Sequence, residues 1–361
     1  AAKLRLDGKT YPLVRTSHRN VGWKHVGNVP VLSVGWIAQG FDVTEEFFVP
    51  NEGGLLFRRI RVTNRNDRKI DAGISLDLVP NFALFDEIDS DQKTRSVRAH
   101  GFRDLTLSCL EKDVTTSGRY NISVALGRLR PGESESARFV YSIKKEDQWT
   151  SDRSEGKIWE ETVDYWDSKN QVQTENNILD HLYEVSKIGF RALTARSGKY
   201  DGALWMYNME WVRDEAMIVL GMLQTGMFRE AGIMIERILT KLVDARGRAM
   251  ESGRWFPFDY TELDQNGQLL YAIWAYACWT GDYHFLVKNW KKIGLVAEFP
   301  LQEAFWDKDS KLLHNKREFW ERSDSHGVED GFELAYQFWV VLGLEKGVEL
   351  AEKLGYRELS E

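Results

Sequence analysis

Leu269-Leu270-Tyr271-Ala272-Ile273-Trp274-Ala275-Tyr276-Ala277-Cys278-Trp279 runs without a single charge. A helix that is apolar around its whole circumference must be buried on every side. Ala216 to Met222 has the same character, whereas Ala231 to Val243 is interrupted by Glu236, Arg237 and Lys241 and keeps a polar face for water. Helices alternating between these kinds are expected when an inner ring is sheathed by an outer ring. Ile178, Leu179, Leu182, Val185, Ile188 and Leu193 recur mostly at three- and four-residue intervals and mark an earlier amphipathic helix. Gly226, Gly281 and Gly343 fit helix ends, where a missing Cβ permits the left-handed turn. About five to seven helices of ordinary length fit between residues 177 and 361, against about twelve for six closed hairpins, so either the implied barrel is incomplete in this chain or the architecture is a smaller helical domain.

Upstream the period is two. Leu55-Leu56-Phe57-Arg58-Arg59-Ile60-Arg61-Val62 reads as a strand, Thr63 to Arg68 as a turn, and Ala72 to Leu78 as the next strand. The pattern returns at Leu105 to Leu110, Tyr120 to Leu126 and Ser136 to Ile143, which predicts an antiparallel sandwich. The expected organisation is a sandwich over 1–145, a polar linker over 146–176 punctuated by Trp149, Trp159 and Trp166, and a helical domain over 177–361.

With 361 residues, 43% of them apolar, the chain can bury two cores. Its net charge of -7 and scattered basic residues give nucleic acid little to hold. It contains no apolar run long enough for a membrane helix, and Ala1-Ala2-Lys3-Leu4 lacks the sections of a secretory signal. The chain reads as soluble, cytoplasmic or already processed, with the cytoplasm favoured. Cys109 and Cys278 are the only cysteines, and both read as buried thiols. The 14 Trp, 13 Tyr and 18 Phe offer flat apolar faces of the kind sugar rings cover.

Three segments set charged groups among aromatics beside a buried-looking helix. In Trp205 to Glu215, Arg213 and Asp214 precede the apolar run from Ala216. Asp214 can accept two sugar hydroxyl hydrogens and Arg213 can orient a carboxylate, unless the two simply pair at a helix start. In Trp255 to Gln268, Asp264 or Asn266 can cap the next helix, yet Trp255, Asp264 and Gln268 would surround the same mouth as Asp214. In Phe319 to Glu333, Trp320 is an apolar neighbour able to raise the Glu321 carboxyl toward the range useful for proton donation. Glu329 and Glu333 share a helix face; a solvated helix start is the alternative for the whole segment. No metal site or cofactor is expected, since His326 is one imidazole among ordinary acids.

Taken together, these segments resemble the glucoamylase family and its six-hairpin relatives, including glucodextranase-like enzymes. Trp211-Val212-Arg213-Asp214 is similar to the family's Trp-x-Arg-Asp segment, Asp264 to Gly267 resembles the segment opening a later inner helix, and Trp320-Glu321 resembles the pair that carries the general acid. The resemblance implies a β-supersandwich followed by an (α/α)6 barrel and an inverting, exo-acting hydrolysis of α-glucosides or related oligosaccharides. It implies Glu321 as general acid with Glu329 as rival, and Trp211, Arg213, Asp214, Trp255, Asp264, Gln268, Trp320 and Arg322 as sugar contacts. Arg322 departs from the second Glu that the family commonly has there. The family's general base lies on a late hairpin, so a companion polypeptide completing the barrel is expected to supply it. A disaccharide phosphorylase, a debranching enzyme and a non-catalytic glycan-binding module are the alternatives.

Overall fold

The computed structural model describes the chain except residues 1, 14–17, 52–53, 79–84, 102–103, 119, 144–153, 203–208, 252, 254, 256, 316–330 and 357–361. It divides into two compact units, Ala1–Ser168 and Lys169–Glu361.

The first unit holds two antiparallel sheets, as the alternating runs predict. The five-stranded sheet has the order β11 (Val114–Ser117), β12 (Asn121–Leu129), β7 (Ile70–Asp77), β1 (Ala2–Leu6), β2 (Lys9–Pro12). The eight-stranded sheet has the order β3 (His18–Val26), β4 (Val29–Ala38), β5 (Phe41–Phe48), β6 (Leu55–Asn64), β13 (Ser134–Ser142), β10 (Leu105–Cys109), β9 (Ser96–Gly101), β8 (Phe85–Asp91). Because successive side chains point to opposite faces, Leu4, Ile74 and Ile122 of one sheet meet Phe41, Ile60, Leu107 and Phe139 of the other in one core. The far face of the larger sheet carries α1 (Glu155–Asp167), whose Ile158 packs with Leu55, Phe57 and Val140. Ser154 starts that helix by accepting the Lys157 N–H at 3.2 Å. This helix falls in the stretch read from sequence as linker.

The second unit contains α2 (Asn177–Leu193), α3 (Val212–Gln224), α4 (Phe228–Arg237), α5 (Asp264–Thr280), α6 (Tyr283–Glu298) and α7 (Leu334–Leu354). With α1 these are the seven α-helices among the described residues, far fewer than a full double ring needs. α3 packs on α5 and α5 on α7, while α4 and α6 lie against successive members of that row. The charge-free α5 is buried at Leu269, Leu270, Ala272, Ile273 and Tyr276, as its composition demands, although its C-terminal end emerges at Trp279.

The loops leading from an outer to an inner helix share a device that the sequence reading overlooks. Each closes on an antiparallel bridge, at Thr194↔Tyr200, Val243↔Ala249 and Trp306↔Leu313. Gly198 and Gly247 turn these loops at φ +79 and +91. A Cβ on Gly198 would stand 2.7 Å from the Ile233 carbonyl oxygen in α4, and one on Gly247 1.9 Å from the Leu295 carbonyl oxygen in α6. Each turn is thus pressed onto the backbone of the next outer helix.

Three expectations need correction. Gly343 does not end a helix; it lies inside α7, where its missing Cβ lets the chain approach the Gly267 carbonyl of α5, 2.4 Å from where a Cβ would be. Cys109 is buried, but Cys278 is exposed, because α5 turns that side outward near its end. The α2 periodicity is real, yet Ile178, Leu179, Leu182 and Val185 are exposed, Ile178 to 70%.

Candidate functional site

The beginnings of α3 and α5 are joined by one guanidinium. Arg213, in the first turn of α3, donates through Nε to Asp264 Oδ2 at 2.8 Å and through Nη2 to Asp264 Oδ1 at 3.3 Å, and Nη2 also donates to Glu262. Asp264 and Glu262 are completely buried. Gln268 Nε2 donates to Asp264 Oδ2 at 3.1 Å, and Gln265 Nε2 to Glu262 Oε2 at 3.1 Å. Arg213, Asp264 and Gln268, which the sequence set at one mouth, therefore meet in a single network, with Glu262 as a member not singled out beforehand.

Arg213 bridges two buried carboxylates here. Burial pushes the Asp264 carboxyl above its ordinary value against the pull of Arg213. Burial also works against the Arg213 charge, but Asp264 and Glu262 outweigh it and raise its pKa. A carboxyl raised by burial in this way holds its proton more readily than an exposed one, which is a property proton-handling sites use.

Asp264 and Asn266 are not caps. Leu263 holds the N-cap position of α5 without a side-chain bond. Asn266 instead ties neighbouring backbone together, donating to the carbonyls of Gly247 and Val296, each at 2.8 Å. α3 likewise begins at Trp211 with no side-chain cap, so the N-termini of both inner helices are uncapped by side chains.

Asp214 occupies the first turn of α3 with its side chain exposed. The protein mass around it still raises its carboxyl pKa, against the opposing charge of Arg213. Trp211 is half-buried. Trp255 is 43% exposed, with the Arg248 guanidinium 4.9 Å from its ring centre. Trp320, Glu321, Arg322 and Glu329 lie outside the described residues.

The residue after Asp214 is a second acid missed in the sequence. Glu215 is fully buried, and neither carboxylate oxygen makes a well-formed hydrogen bond. Burial, then the nearby Glu210 charge, push its pKa up to about 8, while the Tyr200 backbone N–H and Arg237 oppose the shift. Arg237 is already committed to Glu210, donating at 2.6 and 2.9 Å. The available signal was an acid directly before a charge-free helical run.

Among the described residues, no group of three or more His, Cys, Asp or Glu is arranged to hold a metal ion, and no helix is long and apolar enough to cross a membrane.

No family model matches the sequence, and no curated protein matches it. Solved structures share its fold. A bacterial glucoamylase complexed with acarbose superposes over 99% of this chain and 59% of its own, with a TM-score of 0.60 and 13% identity. A protein described as a kojibiose phosphorylase from the human microbiome matches 87% of this chain and 50% of its own, with a TM-score of 0.56 and 10% identity. The chain thus spans half to three-fifths of the length of these structures, and at such identities the likeness concerns the fold.

Proposed function

We propose that this chain belongs to a carbohydrate-active enzyme of the six-hairpin kind, an inverting and exo-acting glycoside hydrolase on α-glucosides or related oligosaccharides. The observation that carries the reading is the joining of two inner-helix mouths through Arg213, the residue before Asp214, which gathers Asp264, Gln268 and Glu262. Asp214 anchors sugar hydroxyls, while Trp211, Trp255 and Trp320 present flat faces to the rings. Arg213, Asp264 and Gln268 hold the mouth in shape, and Arg322 adds a contact. Glu321 protonates the leaving oxygen, with Glu329 as rival. A general base on further hairpins of the complete enzyme activates water from the opposite face.

The complete enzyme is expected to release a terminal monosaccharide with inverted anomeric configuration, followed by proton NMR during turnover; retention overturns the mechanism. Glu321→Gln should keep sugar binding and lower turnover by roughly two to four orders of magnitude. An aryl glycoside with an acidic leaving group should partly rescue it. Phosphorolysis is the second reading, favoured by the fold shared with the protein described as a kojibiose phosphorylase. It would require phosphate and yield a sugar phosphate.

A further inference from the structure

The far face of the eight-stranded sheet bears a feature that the hydrolytic reading leaves unused. A half-open cleft of about 510 Å³ lies beside the start of α1, within the roughly 300–1,000 Å³ common for small-molecule sites. Lys93, Arg95, Arg98 and Arg138 line it, against Glu155 as the one acid in the lining. Strand register sets the arrangement: Arg98 on β9 stands opposite Thr106 on β10, and Ser96 opposite Ser108, so hydroxyls alternate with the cation across two strands.

The surrounding acids have other partners. Arg138 holds both Glu111 and Glu155 at 2.9 Å. Asp91 accepts the Lys93 and Thr94 backbone N–H groups at 2.8 and 3.3 Å, and Asp89 pairs with His100 at 3.0 Å. Among the described residues, Lys93, Arg95 and Arg98 make no salt bridge. The Arg98 Nε is buried without a hydrogen-bond partner. Arg95 is fixed, since its Nη1 donates to the Glu111 carbonyl at 2.6 Å. Asp89 stands opposite Arg98 in the strand register and Asp91 feels its charge, but neither closes a salt bridge with it. Guanidinium forks left open in this way suit carboxylate or phosphate oxygens.

We propose that this cleft binds a small sugar bearing a carboxylate or phosphate group. The anion lies between Arg98, Arg95 and Lys93, and the hydroxyls of Thr106 and Ser108 bond to the ring hydroxyls, while Ser96 is buried and paired with Thr94 at 2.7 Å. The sugar part of this ligand rests on the carbohydrate reading above; the anion part does not.

Calorimetric titration of the intact chain with glucose 6-phosphate, glucuronic acid, glucose and inorganic phosphate tests it. At least one charged sugar should bind at one site per chain and weaken as salt is added. Which of the two binds identifies phosphate or carboxylate as the source. Arg98→Ala should weaken that binding by about tenfold or more, the scale of a charge-assisted hydrogen bond, and Arg98→Lys by less. Circular dichroism checks that both variants fold, and Lys93→Ala provides a second loss should Arg98→Ala fail to fold. Unchanged affinity in folded Arg98→Ala and Lys93→Ala overturns the proposal. So does no binding of either charged sugar, glucose binding as tightly as the charged sugars, or inorganic phosphate matching glucose 6-phosphate. Hydrolysis by the complete enzyme should be indifferent to Arg98→Ala. No charged-sugar binding by the unaltered chain with hydrolysis intact would sink this site alone, and absent hydrolysis with anion binding intact would sink the hydrolytic reading alone.

Discussion

Glu215 is the residue whose isolation has the clearest measurable outcome. Its folded pKa of about 8 stands above the ordinary carboxylate range, so the folded state binds this proton more tightly than the unfolded chain does. The associated stability is fully present below the unfolded value near 4.5 and is lost as pH rises through about 8. Glu215→Gln should therefore be close to neutral at pH 5 and stabilising by a few kcal/mol at pH 8.5, read by urea unfolding; equal effects at both pH values would refute the assignment. At this scale the sequence was partly legible. Arg213, Asp264 and Gln268 announced themselves as polar residues before charge-free helices, and they do meet. Glu215 and Glu262 did not, because nothing local distinguishes an acid that faces a neighbouring element from one that faces water.

Among the elements, the bridged turns between outer and inner helices carry the most constraint. Gly247 has φ +91 and almost touches the α6 backbone. Gly247→Ala must strain its own backbone and push α6 away, so a loss of about 2–4 kcal/mol is expected in urea unfolding, with secondary structure retained. A loss under about 0.5 kcal/mol, the scale of an ordinary surface substitution, would show that the turn adapts freely. Sequence reading sees glycine but not its reason. The same residue type that ends α5 at Gly281 in a left-handed turn marks a backbone contact at Gly343, and only the packing partner tells them apart. Helix periodicity was readable because burial imposes it along the chain; the bridges escaped because two paired residues leave no period.

For the molecule as a whole, the sandwich was legible as alternation, while its strand order was not, since neighbours such as β6 and β13 lie far apart in sequence. The helical unit leaves two apolar faces uncovered among the described residues, on α2 at Ile178, Leu179 and Leu182, and on α7 at Leu334, Phe338 and Val341. At ~25 cal/mol per Å² of apolar surface, covering them is strongly favourable, which supports the proposal that further hairpins pack there in the complete enzyme. The outward turn of α5 also makes the protein chemically addressable at one point. Burial holds the Cys109 thiol up at about 11 and out of reach, whereas the Cys278 sulfur is exposed, 4.0 Å from Lys353 Nζ on α7. A maleimide-linked fluorophore or nitroxide would then settle on a single inner helix beside α7, giving a spectroscopic reporter of that helix pair without any engineered cysteine.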